Sequence, residues 1–155
     1  MLPAALVLPP APPPPSPPPA VVRPFDPPAQ AWEAGHRGVD LAASTGAPVR
    51  SLSAGVVGTA GTVAGKPVVT VLLPGGRRVT YEPVLATVAP GQSVVRGQVL
   101  GEVAPAGGHC GGQVGCLHVG LRAGDAYLDP TILISRAVLK PTRRPGPAPR
   151  GDGAG

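Results

Sequence analysis

Short apolar runs interrupted by glycine and proline fill the middle of the chain. Their apolar residues are mostly Val and Leu, and turn-forming residues bound each run. Runs of this kind are typical of strands in an all-β domain, because β-branched side chains fit a pleated surface. The predicted strands span residues 47–51, 55–60, 67–73, 78–81, 93–100 and 116–122.

A turn, a short helix and a weak repeat complete this pattern. Pro74-Gly75-Gly76 separates two apolar runs and predicts a hairpin, since glycine supplies the positive φ that tight turns require. Residues 131–139 are the strongest helical segment. Similar Gly- and Val-containing segments occur at residues 46–57 and 91–101, which suits a compact β-sandwich or barrel assembled from similar hairpin units.

Composition divides the chain into one domain and two tails. The 155 residues include 24 Pro and 23 Gly, a proportion that excludes a helical bundle or coiled coil. The N-terminal tail is especially rich in proline and predicts a stiff polyproline II spacer. We expect a leader at residues 1–20, a domain at 21–139 and a basic tail at 140–155, with both tails disordered.

Charge and hydropathy exclude two classes of partner. The net charge of +5 arises largely in the tails, and no Lys/Arg stripe alternates with aromatics, so we expect no nucleic-acid ligand. No apolar run approaches the roughly 20 residues that span a bilayer. Residues 1–8 resemble the end of a secretory apolar region without its basic start, which suggests export; a simple Pro-rich leader is the alternative.

The three histidines are candidates for chemistry. His36 precedes Asp40 by four residues, and His118 lies on a predicted strand. Two imidazoles and one carboxylate are typical of a catalytic zinc site that keeps its fourth position open. His-x-x-x-Asp alone is a weak signal, however, and a hydrogen-bonded surface pair is the alternative.

Several motifs in order resemble the lysostaphin-like zinc metallopeptidases. They are Gly-His-Arg-Gly-Val-Asp, Gly-Ala-Pro-Val, Thr-Tyr-Glu-Pro-Val, Gly-Gln-Val-Leu-Gly-Glu-Val and Cys-Leu-His-Val-Gly-Leu, which together extend over about residues 22–133. The resemblance implies a β-sheet core built on a duplicated hybrid motif, and a peptidase that cuts peptide crosslinks in bacterial peptidoglycan. It also implies that Zn²⁺ is bound by His36, Asp40 and His118.

Two positions depart from the pattern of that family. Its last motif is usually His-x-His, and Cys116 replaces the first histidine; its Tyr-x-His-Leu motif has Pro83 in place of the histidine. A peptidase needs a group that takes a proton from the attacking water. Glu82 and His109 are the candidates, and the alternative is that they are an ordinary strand residue and loop residue.

Cys110 and Cys116 are the only cysteines. In an exported chain, two close cysteines most simply form a disulfide. The alternative makes them zinc ligands, since Cys116 and His118 are two residues apart on a strand and project from one face.

These observations predict a secreted zinc metalloendopeptidase whose partners are peptidoglycan peptides. The alternative is a degenerate peptidoglycan-binding module that recruits or activates another cell-wall hydrolase. Residues 88–97 also resemble a biotinyl or lipoyl carrier, but neither Lys66 nor Lys140 has the Met-Lys-Met setting that such carriers use.

Overall fold

Two antiparallel β-sheets and one helix make up the described part of the chain. The computed structural model describes residues 19–105 and 115–138, the last four through their backbone alone. The strands are β1 (Val21–Arg23), β2 (Gly38–Ala42), β3 (Pro48–Arg50), β4 (Gly55–Val63), β5 (Lys66–Leu72), β6 (Arg77–Glu82), β7 (Val84–Ala86), β8 (Ser93–Val94), β9 (Val99–Val103), β10 (Cys116–Ala123) and β11 (Ala126–Leu128). The helix is α1 (Thr131–Val138).

The large sheet has the strand order β1-β2-β10-β6-β5-β4-β8, and β11 pairs with the free end of β10. The small sheet has the order β3-β9-β7. Strands that are distant in the sequence are therefore neighbours at the centre of the large sheet, where β10 lies between β2 and β6. This all-β architecture confirms the predicted fold class.

One face of the large sheet packs into the core. Alternate residues of a strand point to opposite faces, and the buried core includes the odd-numbered positions 39 and 41 of β2, 79 and 81 of β6, and 117, 119 and 121 of β10. Val39, Tyr81 and Val119 are each at most 1% exposed. Aliphatic side chains supply most of this core, as the scarcity of aromatic residues requires. The even-numbered positions lie on the other face of these strands, which we call the open face.

The hairpin predicted at residues 74–76 is confirmed. It joins β5 to β6, with the Leu73 amide donating to the Arg77 carbonyl at 2.8 Å. Gly75 and Gly76 have φ values of 84° and 76°, a conformation that glycine adopts without steric cost. The helix predicted from residue 131 is also present.

The prediction of one continuous strand over residues 93–100 is wrong. The structure divides it into β8, in the large sheet, and the start of β9, in the small sheet. A turn separates them, closed by a bond of 3.1 Å from the Gln98 amide to the Val95 carbonyl, and Gly97 there has φ of 84°. The sequence analysis also missed β2, whose five residues include glycine and aspartate.

The two segments of the weak repeat pair with each other. Strand β3 of the first segment pairs with β9 of the second, and β4 pairs with β8. The turn glycines correspond as well, since the Gly46 amide donates to the Val103 carbonyl and the Gly91 amide to the Val57 carbonyl. This reciprocal pairing is what two copies of one hairpin unit would produce.

Both predicted tails fall almost wholly outside the described residues, so their disorder and the boundaries 1–20, 21–139 and 140–155 stay predictions. Within the part of the chain that the structure describes, no helix has the length and apolar character needed to cross a membrane.

Tyr81 connects the core to the loop after β3. Its ring is buried in the core, and its hydroxyl oxygen accepts a hydrogen bond of 2.9 Å from the Leu52 amide. Burial raises the pKa of Tyr81 from 10.0 to about 12, because the phenolate would lose its hydration. The neutral phenol therefore stabilises the fold fully below pH 10.

We expect the free energy of unfolding to fall between pH 10 and pH 12, where Tyr81 ionises in the unfolded chain but not in the folded one. A shift of two pKa units limits this loss to about 3 kcal/mol. Tyr81→Phe should flatten the dependence in urea unfolding curves, at a cost of about 1–3 kcal/mol at neutral pH because the Leu52 amide loses its acceptor. Tyr127→Phe, at an exposed position, is the matched control. An unchanged alkaline dependence in Tyr81→Phe would contradict this account.

Candidate metal centre

Three polar side chains lie in one row across the centre of the large sheet. His118 of β10 is directly opposite Asp40 of β2 on one side and Glu82 of β6 on the other. Residues directly opposite in a sheet share a face and have Cβ atoms about 4.5–5.5 Å apart. The register therefore gathers an imidazole and two carboxylates on the open face.

His36 joins this row from the segment before β2. Its backbone forms an isolated antiparallel bridge with Asp26, through bonds of 2.9 Å and 2.7 Å. This bridge fixes the backbone of His36 just before β2. The imidazole of His36 can therefore reach the carboxylate of Asp40, four residues later.

The three side chains converge closely. Asp40 Oδ1 is 2.8 Å from His118 Nδ1 and 3.2 Å from His36 Nε2, and the two nitrogens are 3.2 Å apart. In a tetrahedral zinc site, ligand atoms about 2.0–2.1 Å from the metal lie roughly 3.3 Å from one another. The arrangement of these atoms therefore fits a small cation bound between them.

The hydrogen bonds of His36 also fit a cation at this position. His36 Nδ1 lies 2.8 Å from the Pro24 carbonyl oxygen, which can only accept, so Nδ1 carries the proton. In the neutral imidazole, Nε2 then presents a lone pair toward the Asp40 carboxylate, which is also an acceptor. A cation between these atoms would satisfy both. A carbonyl that orients the far nitrogen of a histidine is a frequent feature of metal sites.

Burial favours the form of His118 that binds metal. Asp40 is 1% exposed and His36 is 5% exposed. Burial lowers the pKa of His118, although its hydrogen bond to Asp40 acts in the opposite direction. The neutral imidazole, which is the form that can ligate a metal, is therefore favoured.

Gly38 makes room for the His118 ring, a role that the sequence analysis missed. A Cβ atom built on Gly38 would lie 2.8 Å from both Cε1 and Nε2 of His118 and would also collide with the Val119 carbonyl oxygen. The imidazole therefore rests on the bare backbone of β2. The sequence did offer a signal for this role, because Gly38 lies two residues before the candidate ligand Asp40, on the same face of β2.

Of the two candidate proton-transfer residues, the structure describes Glu82 but not His109. Glu82 is in the row beside His118, but its carboxylate is not among the clustered ligand atoms of His36, Asp40 and His118. Pro83 follows it through a cis peptide bond. His109 lies outside the described residues, so its position stays a prediction.

Cys116 lies two residues before His118 on β10 and is buried. The described metal cluster contains no sulfur, which disfavours the interpretation of Cys116 as a ligand. Cys116 is not a free thiol. Because Cys110 lies outside the described residues, the predicted Cys110–Cys116 disulfide stays a prediction.

A cavity of about 410 Å³ lies elsewhere, on the core side of the sheet. Leu41, Tyr81 and Val119, whose side chains face the core, contribute to its wall, and none of the clustered ligands does. The clustered ligand atoms therefore lie apart from that cavity.

Related proteins agree with the fold and the arrangement of motifs. The chain is 46% identical over 126 residues to uncharacterized proteins of Mycobacterium bovis and Mycobacterium tuberculosis, an alignment that covers 78% of the chain. The chain spans about half the length of these curated relatives, since the alignment covers 50% of each.

Solved structures share the architecture. The catalytic domain of the antimicrobial peptidase lysostaphin from Staphylococcus simulans has a TM-score of 0.62 at 22% identity, over 76% of this chain and 92% of that domain. Csd3 of Helicobacter pylori has a TM-score of 0.57 at 28% identity, over 73% of this chain and 30% of Csd3.

The sequence pattern of peptidase family M23 matches residues 34–130, more than half of the chain. The chain therefore belongs to peptidase family M23.

Proposed function

We propose that this protein is a secreted zinc metalloendopeptidase that acts on peptide crosslinks of peptidoglycan in the cell envelope. The observation that carries the proposal is the convergence of two imidazole nitrogens and one carboxylate oxygen, at 2.8–3.2 Å from one another, on the open face. Membership of a peptidase family and the likeness to the lysostaphin catalytic domain support it.

His36, Asp40 and His118 would hold the metal ion through Nε2, Oδ1 and Nδ1. When bound, zinc supplies Lewis-acid chemistry, polarising the scissile carbonyl and making an attacking water more acidic. The Pro24 carbonyl keeps His36 in the required tautomer, and the bare backbone of Gly38 lets the His118 ring reach its position.

Glu82 would accept the proton from the attacking water. Its register opposite His118 supports this role, and Glu82 is not one of the three clustered ligands. It is only partly buried, so water and substrate can reach it. His109 is the second candidate, and would stabilise the developing oxyanion or share the proton transfer.

A degenerate binding module is the second candidate function. Pro83 and Cys116 occupy the two positions where the lysostaphin-like pattern has non-ligand histidines, and neither offers an imidazole. Such a module would bind peptidoglycan on the open face, with or without the metal, and recruit or activate another hydrolase. We further propose that Cys110 and Cys116 form a disulfide, as befits an exported chain.

The first test is metal content. Full-length protein stripped with chelator and dialysed against zinc should retain about one ion per chain by mass spectrometry. His118→Ala and Asp40→Asn should lose it, because each removes one of three clustered ligands, whereas His109→Ala should keep it. Wild-type zinc content in His118→Ala would show that the site is elsewhere.

The second test concerns the space above Gly38. Gly38→Ala should weaken zinc affinity at least tenfold in a chelator competition, because the added methyl displaces the His118 imidazole and metal sites tolerate only about 0.5 Å of misplacement. Gly61→Ala is the matched control, since a Cβ there meets no atom within 4 Å. Circular dichroism checks that both variants are folded. Unchanged affinity in a folded Gly38→Ala protein would contradict the packing argument.

The third test separates enzyme from binding module. Wild type should release new amino termini from isolated peptidoglycan, and Glu82→Gln should slow release at least tenfold with zinc content unchanged, since loss of a general base costs about a hundredfold. Glu102→Gln, on β9 of the small sheet, is the matched control.

Two other results would change the interpretation. Binding to peptidoglycan without any release of amino termini would establish the binding module. Full activity in the double variant Glu82→Gln/His109→Ala would show that neither residue accepts the proton.

A further inference from the structure

Two arginines face each other on the open face, at the end of the strands away from the metal cluster. Arg122 of β10 is directly opposite Arg78 of β6, and Tyr127 of β11 is opposite Arg122 on the other side. Arg78, Arg122 and Tyr127 therefore form a second row parallel to the row of Asp40, His118 and Glu82. We call these three residues the arginine row.

This arrangement is unfavourable for stability alone. Like charges directly opposite in a sheet repel each other. Within residues 19–105 and 115–138, the acidic partner of the row is Asp125, whose carboxylate is 3.3 Å from Arg122 Nη2 but fully exposed to solvent. An exposed ion pair of this kind is weak. The row therefore has more positive charge than its surroundings neutralise.

A third guanidinium adds to this charge. The guanidinium carbons of Arg37 and Arg122 lie 5.8 Å and 5.1 Å from the centroid of the Tyr127 ring, so both cations contact this ring. Arg37 also donates a bond of 2.6 Å to the Ala31 carbonyl, which holds it beside the sheet. Cationic groups thus concentrate at this end, whereas the carboxylates of Asp40 and Glu82 lie at the other.

The surface between the two rows is nearly bare. Gly120 and Thr80 are opposite each other in the intervening row. A Cβ atom built on Gly120 would meet only the Arg37 carbonyl oxygen, at 3.9 Å, so the space directly above Gly120 is open. Four residues separate His118 from Arg122, which corresponds to about 13 Å along a strand. An extended peptide covers that distance with about four residues.

We propose that the arginine row is a binding subsite for a carboxylate of the substrate peptide, about four residues from the bond held at the metal cluster. The inference rests on the proposed peptide-binding function of the open face. Guanidinium groups bind carboxylates through charge-assisted hydrogen bonds, and Arg122 exchanges the exposed Asp125 carboxylate for that of the ligand. The subsite selects acidic peptides over their amidated counterparts.

The test is a binding measurement, so its outcome is independent of whether the protein cleaves peptides. Zinc-loaded, full-length, ¹⁵N-labelled protein is titrated with N-acetylated alanine peptides of four to seven residues, each as the carboxylate and as the amide. NMR shift changes detect the millimolar affinities that short peptides have. At low salt we expect the carboxylate to bind about fivefold or more tightly than the amide, and 0.5 M NaCl to remove most of the difference.

Arg78→Gln and Arg122→Gln should each bring the carboxylate-to-amide ratio close to one. Arg77→Gln is the matched control, because it removes the same charge from the adjacent residue of β6, whose side chain has the opposite parity. Asp125→Asn should raise affinity for the carboxylate, since it removes the internal competitor of Arg122.

Three outcomes would overturn the proposal. They are equal affinity of wild type for carboxylate and amide, an equal loss in Arg77→Gln and Arg78→Gln, and the absence of any peptide binding. Peptidoglycan cleavage is measured separately with the same preparations. A carboxylate preference without cleavage would support the subsite and contradict the peptidase function. Cleavage without the preference would support the peptidase function and contradict the subsite.

Discussion

The pairing of β2 with β10 is the constraint on which the candidate site depends. It places Asp40 and His118 directly opposite each other although they are 78 residues apart in the chain. Side chains alternate between the faces of a strand, so a slip of one residue would send one of these groups into the core. The buried side chains of Val39 and Val119 between the same strands oppose such a slip, because it would expose them. The hydrophobic core thereby holds the polar cluster in register.

The environment of the cluster favours a cation over a network of hydrogen bonds. Asp40 is almost completely buried, and an isolated buried carboxylate is costly unless a positive charge lies beside it. The Pro24 carbonyl directs the His36 lone pair inward, and burial keeps His118 neutral. Without a metal, the buried carboxylate would cost free energy, whereas a bound cation would offset that cost. The fold therefore brings together three side chains that could hold a metal ion.

The non-ligand positions of the lysostaphin-like pattern differ in this chain. Pro83 and Cys116 stand where that pattern has histidines, so neither position offers an imidazole. Glu82 lies in the same cross-strand row as His118. Beyond this row, Gly120 and Thr80 lead to Arg78 and Arg122. The open face therefore has its two carboxylates near one end and two guanidinium groups near the other.

The sequence by itself determined the all-β class, the hairpin at Gly75-Gly76, the helix from Thr131 and the identity of the clustered residues, because local propensity and short motifs specify these features. It failed where the answer depended on which strands become neighbours. Residues 93–100 were predicted as one strand yet belong to two sheets, and β2, a strand of five residues, was not predicted. The alignment of Glu82 with His118, the contact of Gly38 with that imidazole and the opposition of Arg78 and Arg122 were decided only by tertiary structure. Alternation along a strand assigns a side chain to one of two faces, but the register between distant strands is set by the packing of the whole core.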